Sequence, residues 1–240
     1  MKVLLIDSSS GISGDMLLAA LINTGIDLNF LQGELKKVNV GGFDFISEEV
    51  KRNAISALRI KIKMHEENKK HRSLKDIFDL ISDNNLSPKI QDLALKVFYN
   101  IAQAEATVHN EDISKVHFHE VGRLESILNV IGIMICINEI NPKKIFSTPI
   151  RVGSNGFIKT EHGTLPLPAP ATIEILKNYP IIITDQRHEI TTPTGAAIVK
   201  SISSGIIKES EIEIVKIGYG CGTIEIPDSP NFLRVFIGNA

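Results

Sequence analysis

The residues best suited to chemistry lie between positions 105 and 120, where histidines and glutamates have the spacing of metal ligands. Alternate side chains of an extended segment share a face, so His117 and His119 are expected to point the same way. The preceding AQAEATVHN has helical composition, which places Glu105 and His109 at i,i+4 on one helical face. With Glu120 beside them, these donors suit nickel, zinc, cobalt or iron. The pattern predicts a divalent-metal site.

A structural role for these residues is the alternative. His109 at a helix end would complement the negative end of the helix dipole, and glutamates such as Glu105 are common on exposed helix faces. The His-x-His pair is harder to explain without a metal, because two titratable rings on one face gain little from packing. The metal prediction therefore depends mainly on this pair.

A glycine-containing loop, DSSSGISGDM, follows the first predicted strand and precedes a helix. Such a loop can turn backbone amides toward an anion at the helix N-terminus. It lacks the lysine of a Walker A loop, the spacing of a dinucleotide fingerprint and the G-x-S-x-G context of a nucleophilic serine. The alternative is a plain turn with a carboxylate that favours the helix dipole. The cofactor-binding candidates here are Asp7, Ser8, Gly11, Ser13, Gly14 and Asp15.

A second loop, TTPTGAA, opens another helix and adds Thr192, Thr194 and Gly195 as cofactor-binding candidates, because they can present hydroxyls and amides to an anion. His162 of EHGTLPLPAP and Glu189, just before TTPTG, add titratable side chains to these segments. A third glycine-rich segment, GYGCG, is expected to turn at a strand end. We expect these loops to meet around one cleft.

Composition limits the class of protein. The chain has 240 residues, 43% hydrophobic and 22% charged, with a mean hydropathy of +0.09 and no apolar run near the ~20 residues of a spanning helix. MKVLLI is too short for a signal peptide, so a cytoplasmic protein without a membrane partner is expected. A net charge of −2 argues against nucleic-acid binding. The oligomeric state is left open, and a homo-oligomer is compatible with the sequence.

Cysteine content and local charge add further expectations. The two cysteines fit a reducing compartment, with Cys136 packed as a hydrophobe and Cys221 either forming a turn or offering a soft thiolate. A basic run at 51–72, which includes Lys69 and Lys70, is either a solvated face or a site that attracts a phosphorylated or carboxylated small molecule.

Hydrophobic periodicity predicts alternating strands and helices. Strands are predicted at KVLLID, FDFISEEV, SALRIKIKM, IFSTPIRVG, EIEIVKIGYGCG, which enters a glycine turn, and FLRVFI. Helices are predicted at DMLLAALINTG, 28–38, SLKDIFDLISDN, SPKIQDLALKVFYNIAQAEATVH, 124–139, after LPLPAP and behind TTPTG. Ser73 with Asp76 predicts a capping box, and Pro88 and Pro193 are expected at first helical positions. The order predicts an α/β or α+β fold with a mixed sheet, flanking helices and a helical middle subdomain at 73–110, within a single unit spanning 1–240.

With these segments identified, the sequence resembles the LarC-type family of nickel-insertion proteins. The resemblance is carried, in order along the chain, by GISGDM, AEATVH, HFHEVG, HGTLPLPAPAT, TTPTGAA, GYGCGT and PNFLRV. It implies a nickel chelatase of the lyase class that inserts Ni²⁺ into pyridinium-3,5-bisthiocarboxylic acid mononucleotide, forming Ni–S bonds and a Ni–carbon bond, coupled to CTP hydrolysis with Mg²⁺ or Mn²⁺. The product would be the nickel-pincer cofactor of lactate racemase. The resemblance also implies a base that removes the pyridinium C4 proton, for which His162 and Glu189 are the candidate catalytic residues.

The resemblance also includes departures. The family usually shows Asp-Ser-Ile-x-Asp after HFHEVG, whereas this chain carries Glu125 and Asn129, and it has Ser8 and Thr191 where the family commonly has Cys and Glu. Full-length members continue past PNFLRV into a portion associated with CTP, and some members are split into two polypeptides. The expectation is therefore an N-terminal half with a C-terminal-half polypeptide as partner, a truncated form, or a divergent relative that lost the nucleotide step. A nickel carrier without turnover and a metal-dependent hydrolase of a phosphorylated small molecule are the alternatives.

Overall fold

A computed structural model describes residues 1–66, 71–226 and 229–240. The strands are β1 (Lys2–Asp7), β2 (Phe43–Arg52), β3 (Ile55–Met64), β4 (Arg72–Ser73), β5 (His117–Phe118), β6 (Lys144–Ser147), β7 (Ile150–Val152), β8 (Phe157–Thr160), β9 (Gly163–Pro166), β10 (Ile181–Ile183), β11 (Glu213–Cys221) and β12 (Phe232–Asn239). The helices are α1 (Gly14–Asn23), α2 (Leu28–Leu35), α3 (Leu74–Ser82), α4 (Pro88–His109), α5 (Leu124–Ile140), α6 (Pro170–Ile175) and α7 (Pro193–Ile202). The predicted run of strands and helices is therefore present.

The main sheet has six strands in the order β2-β3-β11-β12-β1-β6. β1 is antiparallel to β12 and parallel to β6, so the sheet is mixed, as predicted. β2 and β3 form a long antiparallel pair from Phe43↔Met64 to Arg52↔Ile55. β3 joins β11 in parallel only at Leu58 and Arg59, which are opposite Gly220 and Cys221. The prediction of an α/β or α+β fold with a mixed sheet and flanking helices is confirmed.

Helix α1 is buried on all sides from Met16 to Ile22 because it packs on β3, β11 and β12 and also against α5. Its close approach to β11 requires glycines in that strand. A Cβ at Gly220 would lie 2.1 Å from the carbonyl oxygen of Met16, and one at Gly218 would lie 2.0 Å from that of Ala20. The prediction that GYGCG forms a turn is wrong, because β11 continues to Cys221 and these glycines admit the helix backbone.

Helix boundaries follow local capping chemistry. The Ser73 hydroxyl accepts from the Asp76 amide at 3.1 Å and the Asp76 carboxylate accepts from the Ser73 amide at 2.8 Å, which confirms the predicted capping box. Pro88 and Pro193 both occupy the first helical turn. Helix α2 ends at Leu35 rather than at position 38, because the chain continues as tight turns.

Helix α4 packs against α5, α6 and α7, and its Phe98 is fully buried in the common core. The separation of 73–110 as a helical subdomain within one unit stays a prediction. In the described part of the chain, three two-stranded sheets lie outside the main one, namely β4–β5, the β8–β9 hairpin and the parallel pair β7 and β10. Of their strands, β4, β8, β9 and β10 were not predicted. Within the described part of the chain, no helix is both long and apolar enough to cross a bilayer.

Candidate functional site

A cavity of about 530 Å³ lies between α4, α5, β3, the segment after β5, the β8–β9 hairpin and the N-termini of α1 and α7. It brings together most of the predicted site residues, although they are far apart in the sequence. Those that line it are Ser13, Gly14, Asp15, Glu105, His109, His117, His119, Glu120, His162, Glu189, Thr192 and Thr194. The expected meeting of the first two glycine loops at one cleft is observed, and Thr223, just beyond GYGCG, also lines it.

The two glycine loops are held together by backbone hydrogen bonds. The Ile12 amide donates to Ile190 O at 2.8 Å and the Thr192 amide donates to Ile12 O at 3.1 Å. Gly11 has a φ of +87°, and a Cβ there would lie 1.9 Å from Ile190 O. At Gly195 a Cβ would lie 2.3 Å from Ile12 O. These glycines are needed for contact between the loops, independently of any ligand.

Four predicted cofactor-binding residues, Asp7, Ser8, Gly11 and Gly195, are absent from the described lining of this cavity. The Asp7 carboxylate is buried and accepts from Arg234 and Ser9. Ser8 is fully buried, and its amide donates to the Thr148 hydroxyl at 3.0 Å. The sequence prediction missed these structural roles because each depends on a partner that is distant in the sequence.

The N-termini of α1 and α7 face the cavity with capped ends. Ser13 Oγ accepts from the Met16 amide at 3.4 Å and donates to the Asp15 carboxylate. Thr192 Oγ1 accepts from the Gly195 amide at 3.2 Å. Both helix dipoles therefore direct their positive ends toward the same space, where they favour an anion. The nearby Asp15 carboxylate partly offsets that effect.

Glu105 and His109 lie one turn apart on α4, with 3.4 Å between Glu105 Oε2 and His109 Nε2. Burial raises the pKa of the Glu105 carboxyl, and the neighbouring His109 and His162 partly oppose this shift. The predicted i,i+4 pairing on one helical face is confirmed.

The His-x-His pair does not lie in one strand as predicted. β5 ends at Phe118, and its register places His117 opposite Ser73, so His119 falls in the bend that follows. His119 is half-buried and its Nδ1 has no hydrogen-bond partner. Burial, followed by the neighbouring His162 and His71, lowers the pKa of the His119 imidazole, which favours the neutral form that binds metals.

The histidine rings form a contact chain. The ring centroids of His119 and His162 are 4.8 Å apart, those of His162 and His109 are 4.7 Å apart, and those of His119 and His71 are 4.5 Å apart. Among the described residues, 1–66, 71–226 and 229–240, no group of three His, Cys, Asp or Glu side chains is already arranged to hold a metal ion. The predicted ligands are therefore gathered at one site without a preformed coordination geometry.

Glu189 lines the cavity and comes just before the second glycine loop in the sequence. Burial, with a smaller contribution from the Glu120 charge, raises the pKa of its carboxyl to about 7. A carboxyl that titrates near neutral pH can both accept and release a proton under working conditions, which is the property required of a general base.

Several lining residues were not predicted as site residues. Lys61 belongs to the basic run and lines the cavity, whereas Lys69 and Lys70 lie outside the described residues. Lys159 is on the unpredicted hairpin. Asn129 also lines the cavity, and its Oδ1 is buried without a hydrogen-bond partner. In the sequence, position 129 is marked only by carrying Asn where the family usually has Asp.

Cys221 does not reach this site. It is fully buried at the end of β11, and burial raises the pKa of its thiol, with Arg52 and Arg59 partly opposing the shift. A buried, protonated thiol is a poor metal ligand, so the suggested soft-donor role of Cys221 is not supported. Cys136 is buried within α5, as predicted.

The family model described as nickel insertion protein matches residues 4–240, which is nearly the whole chain. The chain belongs to the nickel insertion protein family. Within this family, a putative nickel insertion protein of Dictyoglomus thermophilum is 41% identical over 238 residues, covering 99% of this chain and 61% of the relative. No solved structure matches the chain.

Two other relatives carry a more specific name, pyridinium-3,5-bisthiocarboxylic acid mononucleotide nickel insertion protein. The one from Geobacillus kaustophilus is 39% identical over 247 residues, covering 99% of this chain and 60% of the relative. The one from Clostridium kluyveri is 40% identical over 250 residues, covering 99% of this chain and 62% of the relative. The chain thus spans about three fifths of the length of the curated relatives it matches.

Proposed function

We propose that this nickel insertion family member takes part in inserting nickel into pyridinium-3,5-bisthiocarboxylic acid mononucleotide. The observation that carries the proposal is the convergence, on one cavity of about 530 Å³, of several imidazoles, a carboxyl with a pKa near 7 and two helix N-termini. These groups match the metal, the proton and the phosphate that such a reaction must handle. Ni²⁺ is a substrate of this reaction rather than a resident cofactor.

The chemistry requires a base. The pyridinium C4–H bond is replaced by a Ni–C bond, so one proton leaves the ring while two thiocarboxylate sulfurs become nickel ligands. Glu189 is the base that we assign, because it lines the cavity and its raised pKa lets the carboxylate form accept this proton near neutral pH. His162, the other catalytic candidate, has ring contacts that favour a metal-binding role.

The phosphate of the mononucleotide requires an anion site. The amides at the N-termini of α1 and α7, beside Ser13 and Thr192, are one candidate. Lys61 and Lys159, which belong to different strands lining the same cavity, supply positive charge. A mononucleotide bound by these groups would occupy the cavity that the histidines and Glu189 also line.

The finer features of the reaction are supported by resemblance to the family alone. We propose that the reaction is a lyase-type chelation that depends on CTP with Mg²⁺ or Mn²⁺ and needs a C-terminal-half polypeptide. We also propose that it takes place in the cytoplasm and that its product is delivered to lactate racemase. The chain covers about three fifths of its relatives, so each of these belongs to the whole protein's activity.

The test is reconstitution. The purified chain is incubated with Ni²⁺ and the thiocarboxylated mononucleotide, with and without CTP and the C-terminal region of a relative. Mass spectrometry then follows the gain of one nickel and the loss of one proton from C4. We expect Glu189→Gln to abolish this product. Glu211→Gln, which changes an exposed glutamate that is not among the lining residues of the cavity, should retain it. Nickel binding without product under all conditions would instead favour a carrier.

A further inference from the structure

Three histidines that line the cavity come from three separate segments of the fold. His109 ends α4, His119 follows β5, and His162 lies in the turn between β8 and β9. His162 is central, because its ring contacts both of the others, at centroid distances of 4.7 Å to His109 and 4.8 Å to His119. No local sequence pattern links these rings, so only the fold brings them together.

The arrangement leaves hydrogen-bonding capacity unused. His119 Nδ1 is buried without a partner, which is an unfavourable state for a ring nitrogen unless a ligand completes it. His109 and His162 are exposed, so their rings can rotate about their side-chain torsions without displacing a packed core. Imidazole nitrogens are suitable ligands for Ni²⁺, as they are for Zn²⁺, Cu²⁺ and Fe²⁺.

We propose that His109, His119 and His162 form the nickel-binding site of the cavity, with His162 binding metal instead of removing a proton. This inference deepens the proposed function, because it names the ligands of the nickel that is inserted. It also differs from the sequence prediction, which paired His119 with His117. In the described part of the chain, no ring contact joins His117 to these three histidines.

The site has a consequence for the hairpin. Residues Ile158, Lys159, Thr160 and Leu165 of the β8–β9 hairpin line the cavity together with His162. A metal ion shared by His162 and His109 ties the hairpin turn to the end of α4. Nickel binding therefore restrains the hairpin over the cavity that receives the mononucleotide.

Calorimetric titration with Ni²⁺ alone tests the ligand set. His162→Ala and His109→Ala should each weaken binding roughly tenfold or more, since each removes a ligand. His65→Ala is the matched control, because His65 is exposed and is not among the lining residues of the cavity. Its Nε2 lies 2.9 Å from Asp44 Oδ1. His65→Ala and His117→Ala should stay within about twofold of wild type. Thermal melting confirms folding, and His162→Gln repeats the test with a side chain of similar size.

Hydrogen exchange of the hairpin amides at 157–166 is the second readout. Ni²⁺ should slow this exchange in the wild-type chain and leave it unchanged in His162→Ala. Wild-type nickel affinity in His162→Ala overturns the inference, and so does an equal loss of affinity in His117→Ala or a wild-type chain that binds no Ni²⁺.

The inference and the proposed function fail in different ways. If reconstitution yields product while His162→Ala binds Ni²⁺ normally, only the ligand assignment falls. If the titrations give the expected affinities but no product forms with any partner, the three-histidine site is supported and the proposed nickel insertion is contradicted.

Discussion

The carboxylate of Asp7 at the end of β1 forms a two-pronged contact with Arg234 of β12, with Oδ2 accepting from Nε at 2.9 Å and from Nη2 at 2.5 Å. The two residues are directly opposite each other in the antiparallel register. Asp7 is 5% exposed, so its charge depends on this partner and on Ser9. The sequence placed Asp7 in a ligand-binding loop, whereas its contacts join two strands of the sheet.

Asp7→Asn should therefore destabilise the fold without weakening nickel binding. Removing one partner of a buried pair is costly, but the Arg234 side chain is 40% exposed, so the expected loss in the free energy of unfolding is about 2 kcal/mol. Urea denaturation measures it, with the exposed Asp185→Asn as control. If Asp7→Asn kept full stability but lost nickel binding, Asp7 would instead be a residue of the ligand-binding site.

The contact between the two glycine loops predicts the effect of a single methyl group. Gly195→Ala places a Cβ 2.3 Å from Ile12 O, so the loops must separate and stability should fall by about 2 kcal/mol. Gly33→Ala is the matched control, because nothing lies within 4 Å of a Cβ at that position in α2. The control should be neutral or up to about 1 kcal/mol more stable. Equal thermal melts for the two variants would contradict this account.

The elements of the main sheet could be predicted because each depends on local pattern. Alternation in FDFISEEV and SALRIKIKM marks β2 and β3, and Ser73 with Asp76 marks the start of α3. The β8–β9 hairpin was missed because it consists of two four-residue strands without a long alternating pattern.

The candidate site shows the same limit. Residue type and loop position were enough to select the histidines and glutamates of the cavity lining, since polar residues at strand and helix ends tend to meet. The ring contacts of His162 were not predictable, because they depend on how the hairpin packs near α4 and β5. The structural glycines at 218 and 220 likewise depend on the approach of α1.

Cysteine reactivity provides a third prediction. Burial raises the pKa of the Cys136 thiol to about 12 and also raises that of Cys221, and both side chains are fully buried. Because the thiolate is the reactive form, neither should be alkylated in the native state, and both should react after unfolding. Mass spectrometry after iodoacetamide treatment measures this. Rapid native labelling of Cys221 would show that the end of β11 opens in solution.

Glu189 gives the fourth prediction, on stability and pH. Burial and Glu120 raise the pKa of its carboxyl from 4.5 to about 7 in the folded chain. Between these values the native carboxyl holds a proton that the unfolded chain has released, so this group makes stability fall as the pH rises through that window. Glu189→Gln keeps the shape and removes the titration.

The variant should therefore match the wild type near pH 4.5 and exceed it above about pH 7, by about 2 kcal/mol after allowance for solvent in the cavity. Urea denaturation across this range measures the difference, with Glu211→Gln as an exposed control that shows no such trend. A stability difference that is constant with pH would mean that the Glu189 carboxyl titrates at its ordinary value. It would then be ionised at neutral pH with little tendency to hold the proton it removes, and its assignment as the base would lose its physical support.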